Sequence, residues 1–161
     1  MSATPEPGLA HVRRMWEEDR ASAALGIEVL DLGVDTSVDG PLGHARTRMT
    51  VTETMVNGHG IAHGGYLFTL ADSTFALACN ATGRPTVAAG GDITFISPVR
   101  LGEVLEASAR ERLTYGRSGL TDVTVRRAAT GEVVAELRGR SRSLPTPSPL
   151  PPHPSRPDAR S

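Results

Sequence analysis

The stretch that decides the fold runs from Gly64 to Ala81, GGYLFTLADSTFALACNA. It contains no proline, and Leu67, Leu70, Ala71, Thr74 and Ala78 recur at helical spacing, so it predicts a helix that stops near Gly83. The helix is apolar on every side, and Asp72 is its only charged residue. A helix of that kind has no face suited to water, so a sheet or a second chain must bury it.

Working outward, the segments GIEVLDLGVDT and GHARTRMTVT before this helix read as strands. So do TVAAGGDITFISPV, GEVLEASARERLTYG, GLTDVTVRRAA and EVVAELRGRSRS after it. Apolar and polar residues alternate within them, as Val123 and Val125 do with Thr124 and Arg126, and Ala129-Thr130-Gly131 suits a hairpin turn. Six strands and one buried helix predict an α+β fold: a curved six-stranded antiparallel sheet wrapped around the helix at about 64–81. Gly8 to Leu25 places Leu9, Val12 and Trp16 on one side and reads as one further helix, a peripheral cover. Residues 1–7 and the tail 144–161, which holds seven of the twelve prolines, read as disordered, leaving a single domain over 8–143.

Composition narrows the classes of partner. The net charge of −1 gives no general attraction to nucleic acid or anionic membrane, and the sparse aromatics offer no platform for stacked bases. No apolar run is long enough to span a bilayer or to form a leader after a basic start. Cys79 is the single cysteine, which excludes an internal disulfide and fits a reducing compartment, so the cytoplasm is the expected location. No metal is expected: His59 and His63 in HGIAH imitate a zinc-binding spacing, but Gly60 stands where glutamate is needed. Gly58-His59-Gly60 begins a dinucleotide fingerprint without the strand-helix-strand repeats that give it meaning. Cys79, deep in an apolar helix, is read as a packing residue.

Two features remain. Gly58, Gly60, Gly64 and Gly65 crowd the loop that enters the helix. Such a loop either simply turns the chain or lets a ligand's oxygen reach the unpaired amides at the helix start, at Gly64 and Gly65. Asp72 is the second: a carboxylate among apolar residues must be partnered or functional.

The motifs Asn57-Gly58-His59, Ala62-His63-Gly64-Gly65, Ala71-Asp72 and Ala78-Cys79-Asn80 closely resemble the PaaI-type branch of the hot-dog fold acyl-CoA thioesterases, a group associated with phenylacetate degradation. So do Asp92 to Pro98, Gly102-Glu103 and Arg138-Gly139, and the resemblance extends from about Leu25 to Ser143. It implies the hot-dog fold and hydrolysis of an aryl-acetyl-CoA thioester, of phenylacetyl or hydroxyphenylacetyl type, to free acid and CoA. It also implies that Asp72 acts on the thioester, that the Gly64 amide polarises its carbonyl, and that Asn57 places water or substrate. Asp72 can serve as nucleophile or as general base. His63 can cap the helix or orient the thioester, and Ser73 can hydrogen-bond near the acid. Phe68, Phe75 and Tyr66 are candidate pocket walls. Arg100 and Arg117, then Arg84, are candidates for gripping the nucleotide of CoA. No cofactor is expected, since CoA belongs to the substrate. Within the fold the rival is an acyl-CoA hydratase or dehydratase, and outside enzymes it is a non-catalytic acyl-CoA binding protein.

Helix geometry adds one constraint independent of the resemblance. Gly64 and Asp72 are eight residues apart, about 12 Å along one helix, whereas a reacting carbon must lie within about 3 to 3.5 Å of its attacker. Joint action therefore requires Asp72 of one subunit and Gly64 of another. The expected working unit is a homodimer, and the resemblance extends this to a homotetramer built as a dimer of dimers.

Overall fold

The computed structural model describes residues 7–145. The expected disorder of the two ends concerns residues that lie largely outside this range. Two short helices come first, α1 (Pro7–Glu17) and α2 (Arg20–Ala24), followed by strands β1 (Glu28–Ser37) and β2 (Gly40–Thr50). The long helix α3 (Gly64–Asn80) precedes β3 (Thr86–Phe95), β4 (Val104–Tyr115), β5 (Ser118–Arg127) and β6 (Val133–Ser143). The six strands form one antiparallel sheet in the order β1-β2-β4-β5-β6-β3. The sheet curves around α3, so the expected α+β hot-dog architecture is the one observed.

Alternation along the strands explains the wrap. Ala45, Thr47 and Met49 of β2, Leu105, Ala107 and Ala109 of β4, Val123 and Val125 of β5, and Ala135 and Leu137 of β6 all turn inward and are buried with Leu67, Leu70, Ala71, Phe75 and Leu77 of α3. The outer face is polar and laced with ion pairs: Arg46 and Arg48 with Glu106, Arg110 with Asp35, Arg138 with Asp122, Arg140 with Asp92. Two inner positions must be glycine for steric reasons. A Cβ at Gly43 would lie 1.8 Å from the carbonyl oxygen of Ala78, where β2 crosses the helix, and one at Gly139 would lie 2.7 Å from the Phe75 ring.

The N-terminal cover differs from expectation. Instead of one helix over Gly8 to Leu25, the chain breaks after Glu18, and Asp19 takes an extended conformation as N-cap of α2. Its carboxylate accepts the Ser22 backbone N–H at 2.9 Å, a cap that a continuous helix would forbid. Helical periodicity alone does not register such a break, because α2 is too short to show a period of its own: it buries Ser22 and leaves Ala21, Ala23 and Ala24 exposed. The first helix also starts at Pro7, a residue well suited to an opening turn.

Candidate functional site

The entrance to α3 is built by a tight loop. Asn57 lies just after the turn Glu53–Met55, and its Oδ1 accepts the backbone N–H groups of His59 at 2.9 Å and Ile61 at 3.4 Å. Two donors fix which end of the amide is oxygen, so the NH2 group of Asn57 is the end left to donate outward. His63 is the N-cap of α3, and its Nδ1 accepts the Gly65 N–H at 3.1 Å. Tyr66 donates its N–H to the His63 carbonyl. These bonds occupy the amides of Gly65 and Tyr66 and leave the Gly64 N–H without an acceptor among the described residues. Of the two glycines in the expected oxyanion position, Gly64 therefore holds the available donor, at the positive end of the helix.

Gly64 lines a cleft of about 670 Å³ together with Asn57, His63, Phe68, Phe95 and Pro98, among others. Phe95 comes from the end of β3, and a Cβ on Gly64 would lie 2.7 Å from its Cζ. The ring was not singled out from the sequence. It belongs to the motif from Asp92 to Pro98, yet nothing local assigns it a role, because strand register, not local pattern, carries it to the helix start.

Asp72 stands two turns further along α3, in a second cleft of about 390 Å³ with Phe68, Phe75, Ala88, Gly91 and Gly139. Below it β3 bulges between Ala88 and Gly90. Desolvation by burial raises the carboxyl pKa above its ordinary value, and the charge of Asp19 raises it further. Phe68 lines both clefts and is 36% exposed, whereas Phe75 is 1% exposed and forms the floor of the second. Ser73 turns away from the cleft: its hydroxyl meets that of Ser22 at 2.8 Å, which fills the role foreseen for it beside the acid with a contact to α2. Cys79 is buried, and its thiol is pushed up to about 12, first by burial and then by Glu111, as suits a packing residue.

The three arginines do not converge within one chain. Arg100 flanks the loop at the helix start, through a bridge to Ile61. Arg84 and Arg117 flank the other end, where Ser143 donates its N–H to the Arg117 carbonyl and Leu144 to that of Pro85. Among the described residues no three metal-ligating side chains come together, and no helix is long and apolar enough to cross a membrane.

Comparison with known proteins matches this arrangement. The thioesterase superfamily model matches residues 59–134, from the loop before α3 into β6. The acyl-coenzyme A thioesterase PaaI of Escherichia coli (strain K12) is 37% identical over 130 residues, covering 81% of this chain and 86% of that protein. Human acyl-coenzyme A thioesterase 13 is 37% identical over 110 residues, covering 66% of this chain and 78% of that one. The solved structure of the E. coli PaaI protein superposes with a TM-score of 0.76 at 34% identity, covering 86% of this chain and 94% of that chain. With the sheet, the enclosed helix and the matched residues in agreement, the chain belongs to the thioesterase superfamily, as a thioester hydrolase of the PaaI type.

Proposed function

We propose that this enzyme hydrolyses acyl-CoA thioesters with an aryl-acetyl group, such as phenylacetyl-CoA or hydroxyphenylacetyl-CoA, to the free acid and CoA. The observation that carries the reading is the spacing along α3. Gly64, Phe68 and Asp72 follow at four-residue steps on one stripe, with Phe68 shared by the two clefts. A two-fold axis through Phe68 would exchange Gly64 with Asp72, and dimers of identical chains form around such axes. Two antiparallel α3 helices thus give two identical sites, each with the Asp72 carboxylate of one subunit facing the free Gly64 amide of the other. The lateral edge of β3 supports this arrangement, since among the described residues β3 pairs with β6 alone, and Val87 and Phe95 of the strand and Ile96 just past it are exposed.

In this site the Gly64 N–H donates to the thioester carbonyl oxygen and stabilises the charge that develops there. Asp72 then takes a proton from the attacking water, or itself attacks the carbonyl carbon to give a mixed anhydride that water opens. In both cases CoA leaves as the thiol after its sulfur gains a proton. A pKa raised by burial strengthens the carboxylate in either role. Asn57, whose NH2 group faces outward, donates to the water or to the carboxylate, and the exposed His63 orients the thioester from the helix cap. Phe68 and Phe95 give the acyl group an aromatic wall. Arg100 at one end of a helix, and Arg84 and Arg117 at the other, are brought within reach of one CoA only by pairing two chains. The reaction needs water and no cofactor. Two dimers then pair into a tetramer, and the reducing cytoplasm, to which the lone buried thiol is suited, is the compartment.

Asp72→Asn is expected to reduce thiol release from phenylacetyl-CoA by about 10³-fold or more with the oligomer intact, within the range seen when a catalytic group is removed. Undiminished turnover would overturn the assignment. The shared site is tested separately by mixing Asp72→Asn with Gly64→Val, whose side chain collides with Phe95. Mixed dimers hold one intact site and should regain activity, and no recovery after demonstrated subunit exchange would exclude a site between chains. A single turnover in H₂¹⁸O tests the two routes: label goes to the acid if water attacks the thioester directly, and to the Asp72 carboxyl if a mixed anhydride forms and water opens it at the Asp72 carboxyl carbon.

A further inference from the structure

A second acid, remote in the sequence, is linked through two hydroxyls to the residue next to Asp72. Asp19 caps α2, and both of its carboxylate oxygens accept: Oδ1 from the Ser22 N–H at 2.9 Å, Oδ2 from the Ser22 hydroxyl at 2.5 Å. Since that hydroxyl spends its proton on Asp19, the 2.8 Å contact between Ser22 and Ser73 uses the proton of Ser73. Ser22 and Ser73 are both buried. The result is an ordered chain, Ser73 to Ser22 to Asp19, that ties the N-cap of α2 to the residue next to Asp72. A helix end could be capped by Asp19 alone; the two buried hydroxyls that join it to α3 are in excess of that need.

We propose that Asp19 is a positioning residue for the reaction, a fixed negative charge that Ser22 and Ser73 hold beside Asp72 to strengthen it as base or nucleophile. The proposal rests on the thioesterase reading above. Among the described residues, other elements around α3 supply no competing charge at this point. The β3 and β6 residues of the Asp72 cleft, Ala88 to Gly91, Leu137 and Gly139, are uncharged, and Arg138 and Arg140 leave the sheet on its other face in pairs with Asp122 and Asp92. Glu111, the titratable inner residue of β4, lies at the far end of α3 against Gly43, and His11 of α1 reaches Asn80 at that same end. Inner β2 and β5 residues carry no charge, and Arg20 beside the cap is exposed. Cys79, on α3 itself, is the remaining titratable neighbour, and its thiol is neutral at the pH of the reaction. The direction agrees with the effect of Asp19 on the Asp72 carboxyl, second there only to burial.

Asp19→Asn tests this in the full-length assembled enzyme, because asparagine caps a helix as well as aspartate does but carries no charge. Two readouts are needed: the pH profile of kcat/KM with phenylacetyl-CoA, and the titration of the Asp72 carboxyl by ¹³C NMR without substrate. Asp72 should titrate at lower pH in the variant and the acid limb should move the same way. The two profiles then cross: the variant is faster than wild type at the acid end and slower, by less than about tenfold, on the plateau. Ser22→Ala should move both readouts in the same direction by a smaller amount. A variant that melts like wild type with the Asp72 titration and the acid limb unmoved would reduce Asp19 to a helix cap. Should Asp19→Asn fail to fold, Asp19→Ser keeps a capping oxygen and answers the same question. Absence of turnover in wild type would count against the thioesterase reading alone, since the NMR titration still decides whether Asp19 acts on Asp72.

Discussion

Glu111 is 4% exposed, and its carboxylate accepts the Gly43 N–H at 3.1 Å. Burial raises its pKa, against the smaller opposing effects of that bond and of Arg84. A carboxyl with a raised folded-state pKa holds its proton in the native state over a range where the unfolded chain has released it. The folded state therefore gains as pH falls into that range and loses as pH rises through the folded pKa. Glu111→Gln keeps an acceptor for Gly43 and removes the charge. The melting temperature of the variant minus that of wild type should accordingly increase from acid to neutral pH, as calorimetry across the range will show. Among single residues, Asp72 and Gly64 were legible in the sequence because a charge in an apolar helix and a glycine at its start are local anomalies. Glu111 was legible in principle, as the next inward position after Leu105, Ala107 and Ala109. Asp19 and Phe95 were not, since what matters about them is a neighbour 53 or 31 positions away, which only the fold supplies.

At the scale of elements, α3 is fixed at both ends by side chains. His63 caps its start, and at its end Asn80 accepts the Thr86 N–H and donates to the carbonyls of Ala76 and Thr86. His63→Ala should lower stability by about 1 kcal/mol, a usual value for loss of an N-cap, and free the Gly65 amide beside Gly64. Urea unfolding measures the first effect. Gly43→Ala should be far more severe, at least about 3 kcal/mol, because its methyl would collide with helix backbone that cannot yield. Failure to obtain folded protein would agree; near wild-type stability would not. The six strands and the central helix were legible because alternation and helical spacing are strong in each. The separation of α1 from α2 was not, because a cap in mid-helix is one carboxylate accepting one amide, and an aspartate such as Asp19 also sits on the exposed face of an unbroken helix.

For the whole molecule, the sheet order places β3 at an edge beside β6 although two strands, β4 and β5, separate them in the chain. Val87, 47% exposed on that edge, lies outside both clefts. Lysine on an exposed edge discourages strand addition, so, if the proposed site between two chains is right, Val87→Lys should shift the mass seen by light scattering toward the monomer and reduce turnover by at least about tenfold. The same topology orders events during synthesis. α3 and β3 leave the ribosome before any strand that β3 can pair with exists, and that strand is the last to be made. Until Val133–Ser143 has been translated, the wall of the Asp72 cleft has no place in the sheet, and the acid waits beside an unfinished edge. A chain cut immediately before β6 would therefore lose two strands from the sheet, not one, and the wall of the Asp72 cleft with them.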